Sequence, residues 1–174
     1  MLMTDGELER IDDRWRLRFS RRLAHTPEKV WRALTEPEHL AAWFPTTIEG
    51  DRAAGASLRF AHPEGKGPAF TGTMIAYQPP SLMEFEWGTD TLRFELRPDG
   101  DGTVLTLLDL FDEQGKAARD AAGWHVCLDL LGVHLDGEPA PDDRLSGWAQ
   151  ANADYTARFG PEAATIGPPG SAGA

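Results

Sequence analysis

Residues 117–135, AARDAAGWHVCLDLLGVHL, are the stretch of sequence that decides the fold. Apolar residues recur along it at spacings of three and four, which is the pattern of a helix with one apolar stripe. The stripe consists of Ala117, Ala121, Trp124, Leu128, Leu131 and Leu135. Exposing so long a stripe to water is unfavourable, so we expect this helix to lie on a sheet.

The same helix carries a second apolar row on roughly the opposite side, formed by Val126, Leu130 and Val133. A helix with two apolar faces is covered on both of them. The second cover is either a later part of the same chain or a second copy of the chain in a homodimer. The later part offers a helical pattern whose members are Leu145, Trp148, Asn152, Tyr155 and Phe159.

Composition and charge narrow the class of protein. A length of 174 residues suits one domain, and 41% hydrophobic residues suffice for a core. The net charge of −11 opposes nucleic-acid binding, which depends on neutralising phosphates. No apolar run is long enough for a membrane span, and the acidic start lacks the hydrophobic core of a secretory signal. The single cysteine, Cys127, excludes an internal disulfide, so we expect a cytoplasmic protein.

Ahead of the long helix, the pattern predicts one strand and then two short helices. Residues 14–23 alternate between apolar and basic side chains, which is typical of a half-buried strand. Thr26 before a proline is a helix-start signal, and Thr35 two residues before another proline repeats it. Both helices are too short to be stable alone, so we expect them to pack on the sheet.

Five further strands follow, and their pairing decides where Asp109 lies. The predicted strands span residues 57–61, 70–77, 82–87, 91–97 and 103–111. If Trp87 lies opposite Leu92, the apolar residues of that hairpin share one face, and Glu86 meets Arg93 on the other. The same register carried into the last strand places Asp109 on the apolar face. A one-residue bulge would turn Asp109 to water instead, and the sequence leaves both arrangements open.

Together these elements predict one α+β domain over residues 14–160. Residues 1–13 are predicted to be a loose, acidic lead-in. Residues 161–174 are predicted to be a disordered tail, because they offer nothing to bury.

The sequence lacks a recognisable catalytic or metal-binding motif. It contains no HExxH, no CxxC and no glycine-rich phosphate loop. His125 and His134 project from roughly opposite sides of the long helix. Cys127 and His134 lie about 10 Å apart along its axis, which is too far for one zinc ion. We therefore expect no catalytic residue, no metal and no cofactor, which favours a protein that is not an enzyme.

Four segments of the chain carry a family resemblance. They are VWRALTEPEHLAAWF at 30–44, Pro79-Pro80 followed by Leu82, Phe85 and Trp87, TVLTLLDLF at 103–111, and GWHVCLDLL at 123–131. In this order they resemble the bacterial relatives of the C-terminal domain of the activator of the Hsp90 ATPase, within the START-like (SRPBCC) superfamily. The resemblance covers about residues 14–160, nearly the whole domain.

The resemblance implies a helix-grip fold, in which a curved antiparallel sheet wraps around a long C-terminal helix and two short helices follow the first strand. Such proteins often keep an apolar cavity between sheet and helix, which implies non-catalytic binding of a small apolar or amphipathic molecule. The alternative is a protein-interaction or co-chaperone-like module with a role in the stress response. The eukaryotic activator has an additional N-terminal domain that anchors it to the chaperone. This chain has no room for one, so we expect no activation of Hsp90.

Side chains from the strands, the short helices and the long helix would line such a cavity. The candidates for ligand binding are Trp43, Phe44, Phe60, Phe70, Met74, Phe85, Trp87, Phe94, Asp109, Trp124 and Leu128. Asp109 is the polar member of this set, and His125 is a further polar candidate. The rings alternatively just fill the core, since packed interiors rarely leave large voids. An enzyme that uses Asp109 as its acid or base is a third class.

Overall fold

A seven-stranded antiparallel sheet carries a long helix in the part of the chain that the computed structural model describes, residues 5–167. The strands are β1 (Glu7–Ile11), β2 (Arg14–Leu23), β3 (Ser57–Phe60), β4 (Phe70–Gln78), β5 (Leu82–Trp87), β6 (Asp90–Asp99) and β7 (Gly102–Phe111). Their order across the sheet is β1-β2-β7-β6-β5-β4-β3. The helices are α1 (Pro27–Thr35), α2 (Pro37–Leu40), α3 (Ala117–Leu135) and α4 (Trp148–Phe159). This is the α+β helix-grip fold that the sequence predicts.

Helix α3 has the bounds and the two apolar faces that its sequence predicts. Trp124, Leu128 and Leu131 are at most 4% exposed and belong to the core that the sheet shares with α3. On the other side, Val126 and Leu130 are each 6% exposed. Among residues 5–167, no helix is both long enough and apolar enough to cross a membrane.

Helix α4 packs against α3 and so supplies the second cover from the same chain. Its apolar side includes Tyr155, whose side chain has no exposed surface. The predicted pattern begins too early, however. Leu145 precedes the first turn of α4 and is 64% exposed, so it takes no part in the cover.

The two short helices begin at the predicted prolines, but only the first has the predicted cap. Thr26 Oγ1 accepts a hydrogen bond from the Lys29 N–H at 3.3 Å. The residue before α2 is Glu36, which makes no capping hydrogen bond with its side chain. The Thr35 hydroxyl instead donates to the carbonyl oxygen of Trp31 at 2.8 Å, so the second predicted cap is wrong.

The predicted register of the β5–β6 hairpin is wrong by two residues. Trp87 lies opposite Asp90, and Phe85 lies opposite Leu92. The hairpin closes with a two-residue turn, in which Gly88 has a positive φ of 66° that a glycine adopts without strain. Because the shift is an even number of residues, each side chain keeps its predicted face.

The predicted β6–β7 register is confirmed, and it places Asp109 inside. Asp109 lies opposite Leu92 on one side and Leu17 on the other, within a continuous ladder. No bulge interrupts β7 there, so the carboxyl group faces α3 and is 1% exposed. The alternative with Asp109 in water is excluded.

Both ends of the described chain are more ordered than the sequence predicts. The predicted loose lead-in contains β1, which pairs with β2 along its whole length. In the predicted disordered tail, Pro161–Ala164 forms a 3₁₀ turn that packs against α3, α4 and the 3₁₀ turn Gln114–Lys116. The Ile166 N–H then donates to the Gly115 carbonyl oxygen at 3.0 Å. The rest of the predicted tail, residues 168–174, lies outside the described residues.

Substitution of Ala163 by aspartate is expected to lower the free energy of unfolding by roughly 2–4 kcal/mol, because it buries a carboxylate without a partner. Ala163 has no exposed surface. Urea denaturation followed by tryptophan fluorescence measures the loss. The matched control is Ala157→Asp on the exposed side of α4, which should change stability little. Equal effects of the two substitutions would show that the Pro161–Ala164 turn does not contribute to the fold.

Candidate functional site

Three carboxylates meet where the first turn of α3 lies over β6 and β7, and together they form the acidic cluster: Asp90, Asp109 and Asp120. One oxygen from each carboxylate lies within 4.8 Å of the others. Asp90 begins β6 and is 5% exposed, and Asp109 projects from the neighbouring strand β7. Asp120 comes from α3, with a side chain 18% exposed at the rim. Three negative charges with so little exposure to water are unfavourable unless cations, protons or a ligand compensate them.

Two cations from the start of α3 compensate part of this charge. Lys116 Nζ donates to Asp90 Oδ1 at 2.5 Å and lies 3.7 Å from Asp120 Oδ2. Arg119 Nε donates to Asp120 Oδ1 at 2.9 Å. Burial alone would lower the pKa of Lys116, but the hydrogen bond and charge of Asp90, together with the charge of Asp120, raise it above its usual value. Lys116 is therefore a resident ammonium ion of the cluster.

Asp109 is the member of the cluster that forms no ion pair with these two cations. Its Oδ2 accepts a hydrogen bond from Trp124 Nε1 at 2.9 Å. The carboxyl group also shares a side-chain hydrogen bond with Asp90, and no other group among the described residues donates to its buried Oδ1. Burial, and then the nearby charge and hydrogen bond of Asp90, raise the pKa of Asp109 well above its usual range, against the smaller opposing effect of Trp124. The folded protein therefore favours the protonated form of Asp109 more than water does for an exposed aspartate.

Three aromatic rings adjoin the cluster and form the aromatic trio: Phe44, Trp87 and Trp124. Their ring centroids lie 5.5 to 5.9 Å apart. Trp87 is the partly exposed member, and its Nε1 donates to Thr46 Oγ1 at 3.2 Å. Trp87 pairs with Asp90 across the hairpin, so this partly exposed ring neighbours the cluster on the same face of the sheet. Of the predicted ligand-binding residues, the structure thus brings Phe44, Trp87, Asp109 and Trp124 together.

The remaining predicted ligand-binding residues lie deeper, except for Phe70, which is partly buried beside Trp87. The deep residues are Trp43, Phe60, Met74, Phe85, Phe94 and Leu128, all at most 2% exposed. Phe60, Met74 and Phe85 have no exposed surface at all, so no water-sized space adjoins them, enclosed or open. Phe85 instead contacts the Phe60 and Phe94 rings, with centroids 5.6 and 6.2 Å away. The core is packed at these positions.

An open depression of about 440 Å³ lies at the surface of β3, β4 and β5 rather than between sheet and helix. Its lining is Ser57, Leu58, Thr71, Gly72, Thr73, Glu86 and Gly88. Most of these residues are polar or glycine. The depression therefore does not match an apolar binding site, and it shares no residue with the predicted set.

His125 does not belong to this site, so its prediction as a polar group near Asp109 is wrong. It lies on the side of α3 that faces α4, where Nδ1 is 2.9 Å from the Tyr155 hydroxyl oxygen. The same nitrogen is 3.4 Å from Asp5 Oδ1. Its neighbour Cys127 is also apart from the cluster, and burial raises the pKa of its thiol to about 12. A thiol with that pKa is a poor nucleophile at neutral pH.

Sequence reasoning missed Asp90, Asp120 and Lys116. One signal for them was present, since Lys116 and Asp120 are four residues apart and can pair on one side of a helix. Asp90 carried no such signal, because the direction of its side chain depends on the hairpin register. The correct two-residue turn would have placed Asp90 on the apolar face beside Asp109.

The fold and the site define a START-like protein with a helix-grip architecture and a buried acidic cluster beside aromatic rings. The profile of the family described as Activator of Hsp90 ATPase homolog 1-like protein matches residues 24–136. The chain belongs to this family. A search of proteins with curated descriptions gave no match.

Solved structures from several bacteria share the fold. A conserved protein of unknown function from Enterococcus faecalis is similar with a TM-score of 0.73 and 20% identity, over 88% of this chain and 90% of that one. CalU16 from Micromonospora echinospora is similar with a TM-score of 0.69 and 23% identity, over 87% and 94%. A protein from Bordetella parapertussis is similar with a TM-score of 0.67 and 26% identity, over 88% and 91%.

Proposed function

We propose that the protein binds a small apolar or amphipathic molecule at the aromatic trio, with the polar part of the molecule on Asp109. The observation that carries this proposal is the position of the buried Asp109 carboxyl group, which is hydrogen-bonded to one ring of the trio, Trp124. A polar group of the ligand forms a hydrogen bond with this carboxyl group, and the rings bury its apolar part.

The packing of the core sets the route and the depth of binding. The ligand reaches Asp109 by displacing the partly exposed Trp87, whose side chain is held by one hydrogen bond to Thr46 and by ring contacts. The deeper residues form a packed floor beneath the site, because Phe60 and Phe85 leave no space beside them. The proposed site is therefore small and close to the surface.

The alternative, a protein-interaction module, has less support from the surface of the described residues. Among them, Ile75 at 46% and Leu145 at 64% are the exposed large hydrophobic residues. Single exposed apolar side chains are ordinary on soluble domains and do not mark an interface. Ligand binding is thus the function that the geometry favours.

A fluorescent probe with an apolar body and one N–H donor, N-phenyl-1-naphthylamine, tests this function. We expect a saturable, one-to-one rise in its fluorescence on titration with the protein. Trp87→Ala should weaken the affinity by about tenfold, equivalent to about 1.4 kcal/mol, because it removes one ring of the site. The matched control is Trp148→Ala on α4, which is also a partly buried tryptophan and should leave the affinity unchanged. No saturable binding, or equal effects of the two substitutions, would contradict the proposal.

A further inference from the structure

We propose that His39 and His134, here called the histidine pair, form a pH-sensitive switch, which holds residues 37–44 against α3 at neutral pH and loosens them in mild acid. This segment consists of α2 and the turn that follows it. It ends at Phe44, a member of the aromatic trio. The switch acts on the fold itself, so it would operate with or without a bound ligand.

One hydrogen bond joins the histidine pair. His39 Nδ1 lies 2.7 Å from His134 Nε2, and the two ring centroids are 5.0 Å apart. Two imidazole nitrogens at this distance share one proton, which either ring can donate while the other ring accepts it. The bond therefore persists when both rings are neutral and when one of them is charged. A second charge puts a proton on both facing nitrogens, so the bond is lost and the rings repel each other.

The surroundings of the histidine pair disfavour the second charge. The titratable and charged groups around the pair are Lys29 on α1, Glu38 on α2, His25 before α1, Asp136 after α3, and Arg144, which donates to the Ala41 carbonyl oxygen. Burial, and then the charges of His39 and Lys29, lower the pKa of His134 below its ordinary value of 6.5. Lys29 is fixed nearby, because its Nζ donates to the Leu135 carbonyl oxygen at 2.7 Å.

The carboxylates around the histidine pair are engaged elsewhere or exposed. Asp136 Oδ1 lies 2.7 Å from His25 Nε2, and Glu38 is exposed to water. Among the described residues, the histidines that form ion pairs with carboxylates are His25 and His125. A second positive charge on the histidine pair is thus not offset by a carboxylate at ion-pair distance in the described part of the chain.

The segment is short, so the loss of one contact changes how often it opens. Helix α2 has four residues, which is too few to be stable without tertiary contacts. The buried side chains of the segment are Leu40, Trp43 and Phe44, all at most 3% exposed. Trp43 Nε1 also donates to the Ala33 carbonyl oxygen at 2.9 Å. Because these contacts remain, the doubly charged pair favours local opening of the segment rather than unfolding of the domain.

One hydrogen-bonded turn connects His39 to Phe44. The Ala42 N–H donates to the His39 carbonyl oxygen at 3.1 Å, and the Phe44 N–H donates to the Leu40 carbonyl oxygen at 2.8 Å. The Phe44 ring in turn lies 5.8 Å from the Trp124 ring. Displacement of His39 from α3 therefore moves a turn that ends at the aromatic trio. It also exposes the amides of this turn to exchange with solvent.

Amide hydrogen exchange measured by NMR at pH 7.0 and pH 5.0 tests the switch. Division of the observed rate by the intrinsic rate at each pH gives the protection factor. We expect the protection factor of the Phe44 amide to fall about tenfold at the lower pH, the effect of a pKa that differs by one unit between closed and open segment. The amides of β7, at the centre of the sheet, should change less. The ¹⁵N shifts of both rings show whether the second charge appears over the same pH range.

Two variants remove the second charge and keep a hydrogen-bonding group. His134→Gln places an amide where Nε2 lies, and His39→Asn does the same for Nδ1. In both variants we expect the protection of the Phe44 amide to be the same at the two pH values. The matched control is His62→Gln, which removes a histidine that follows β3 and lies beside the Phe70 ring. This control should keep the wild-type fall.

The wild-type profile alone can overturn the inference, even if a variant does not fold. A protection factor of Phe44 that is level between the two pH values would show that the histidine pair is not a switch. An equal loss of protection at Phe44 and in β7 would mean that acid destabilises the whole domain, which also overturns the inference. The same conclusion follows if His134→Gln and His39→Asn keep the wild-type fall.

Discussion

Replacement of Trp124 by alanine is expected to lower the free energy of unfolding by roughly 3–5 kcal/mol, the usual range for removal of a large buried aromatic side chain. Trp124 is 4% exposed at the centre of the apolar stripe of α3. Its loss leaves a cavity between α3 and the sheet, where the ring contacts Phe44 and Trp87. It also removes the indole donor to Asp109, which leaves both oxygens of that carboxyl group without a protein donor. Denaturant unfolding followed by circular dichroism measures the change.

The Trp124→Phe variant distinguishes the contribution of the packed ring to stability from the contribution of its hydrogen bond. This variant keeps most of the buried apolar area and loses only the N–H donor, so we expect a smaller loss of about 1–3 kcal/mol. A loss below about 1 kcal/mol for the alanine variant would mean that the stripe of α3 does not pack on the sheet as described. Equal losses for both variants would assign the effect to the hydrogen bond rather than to packing.

The long helix could be predicted in detail because its signal is redundant. Six apolar residues at helical spacing fix one face over Ala117–Leu135, and a second row fixes the other. The β6–β7 register was predictable for a related reason, since a short polar loop joins two long apolar strands. Because several residues give the same indication, a misleading residue at one position does not change the prediction.

The hairpin register was not predictable from alternation alone. A shift of two residues returns every side chain to its own face, so both registers satisfy the apolar pattern. Glu86 beside Arg93 supported the wrong register, whereas the structure pairs Glu84 with Arg93. The length of the turn decides the register. In the structure the turn consists of only two residues, Gly88 and Thr89. That error concealed Asp90 and with it the acidic cluster.

The order at both ends of the chain was not predicted because the residues that are buried there are small. Gly6 lies so close to the Phe19 ring that an added Cβ would be 2.7 Å from it, and Ala163 has no exposed surface. Glycine and alanine occur in cores and in flexible segments alike, so their presence gives no periodic signal. Such segments are placed by the shape of their neighbours, here Phe19 and Tyr155.

Asp109→Asn is expected to stabilise the protein at neutral pH, by an amount that grows as the pH rises. The pKa of Asp109 in the folded protein lies well above the value of 3.8 for an exposed group, because burial and the charge of Asp90 disfavour ionisation. At pH values below 3.8, Asp109 is protonated in both the folded and the unfolded state, so it adds no pH dependence to the free energy of unfolding. Between the two pKa values the unfolded state is ionised while the folded state keeps its proton. Wild-type stability therefore falls there by up to about 1.4 kcal/mol per pH unit, and the asparagine, which does not titrate, removes this loss.

Urea denaturation of wild type and Asp109→Asn at intervals from pH 4 to pH 8 measures the effect as a difference between two stability curves. Subtracting the curves cancels the other titrating groups that the two proteins share, provided that Asp90 and Asp120 respond alike. We expect the difference to increase from pH 4 upward and to level off above the folded pKa of Asp109. A ¹³C NMR titration of the carboxyl group locates that pKa independently. A flat difference with an ordinary pKa would mean that Asp109 is ionised in the folded protein and held by a cation, and the proposed site would then lose its neutral, buried carboxyl group.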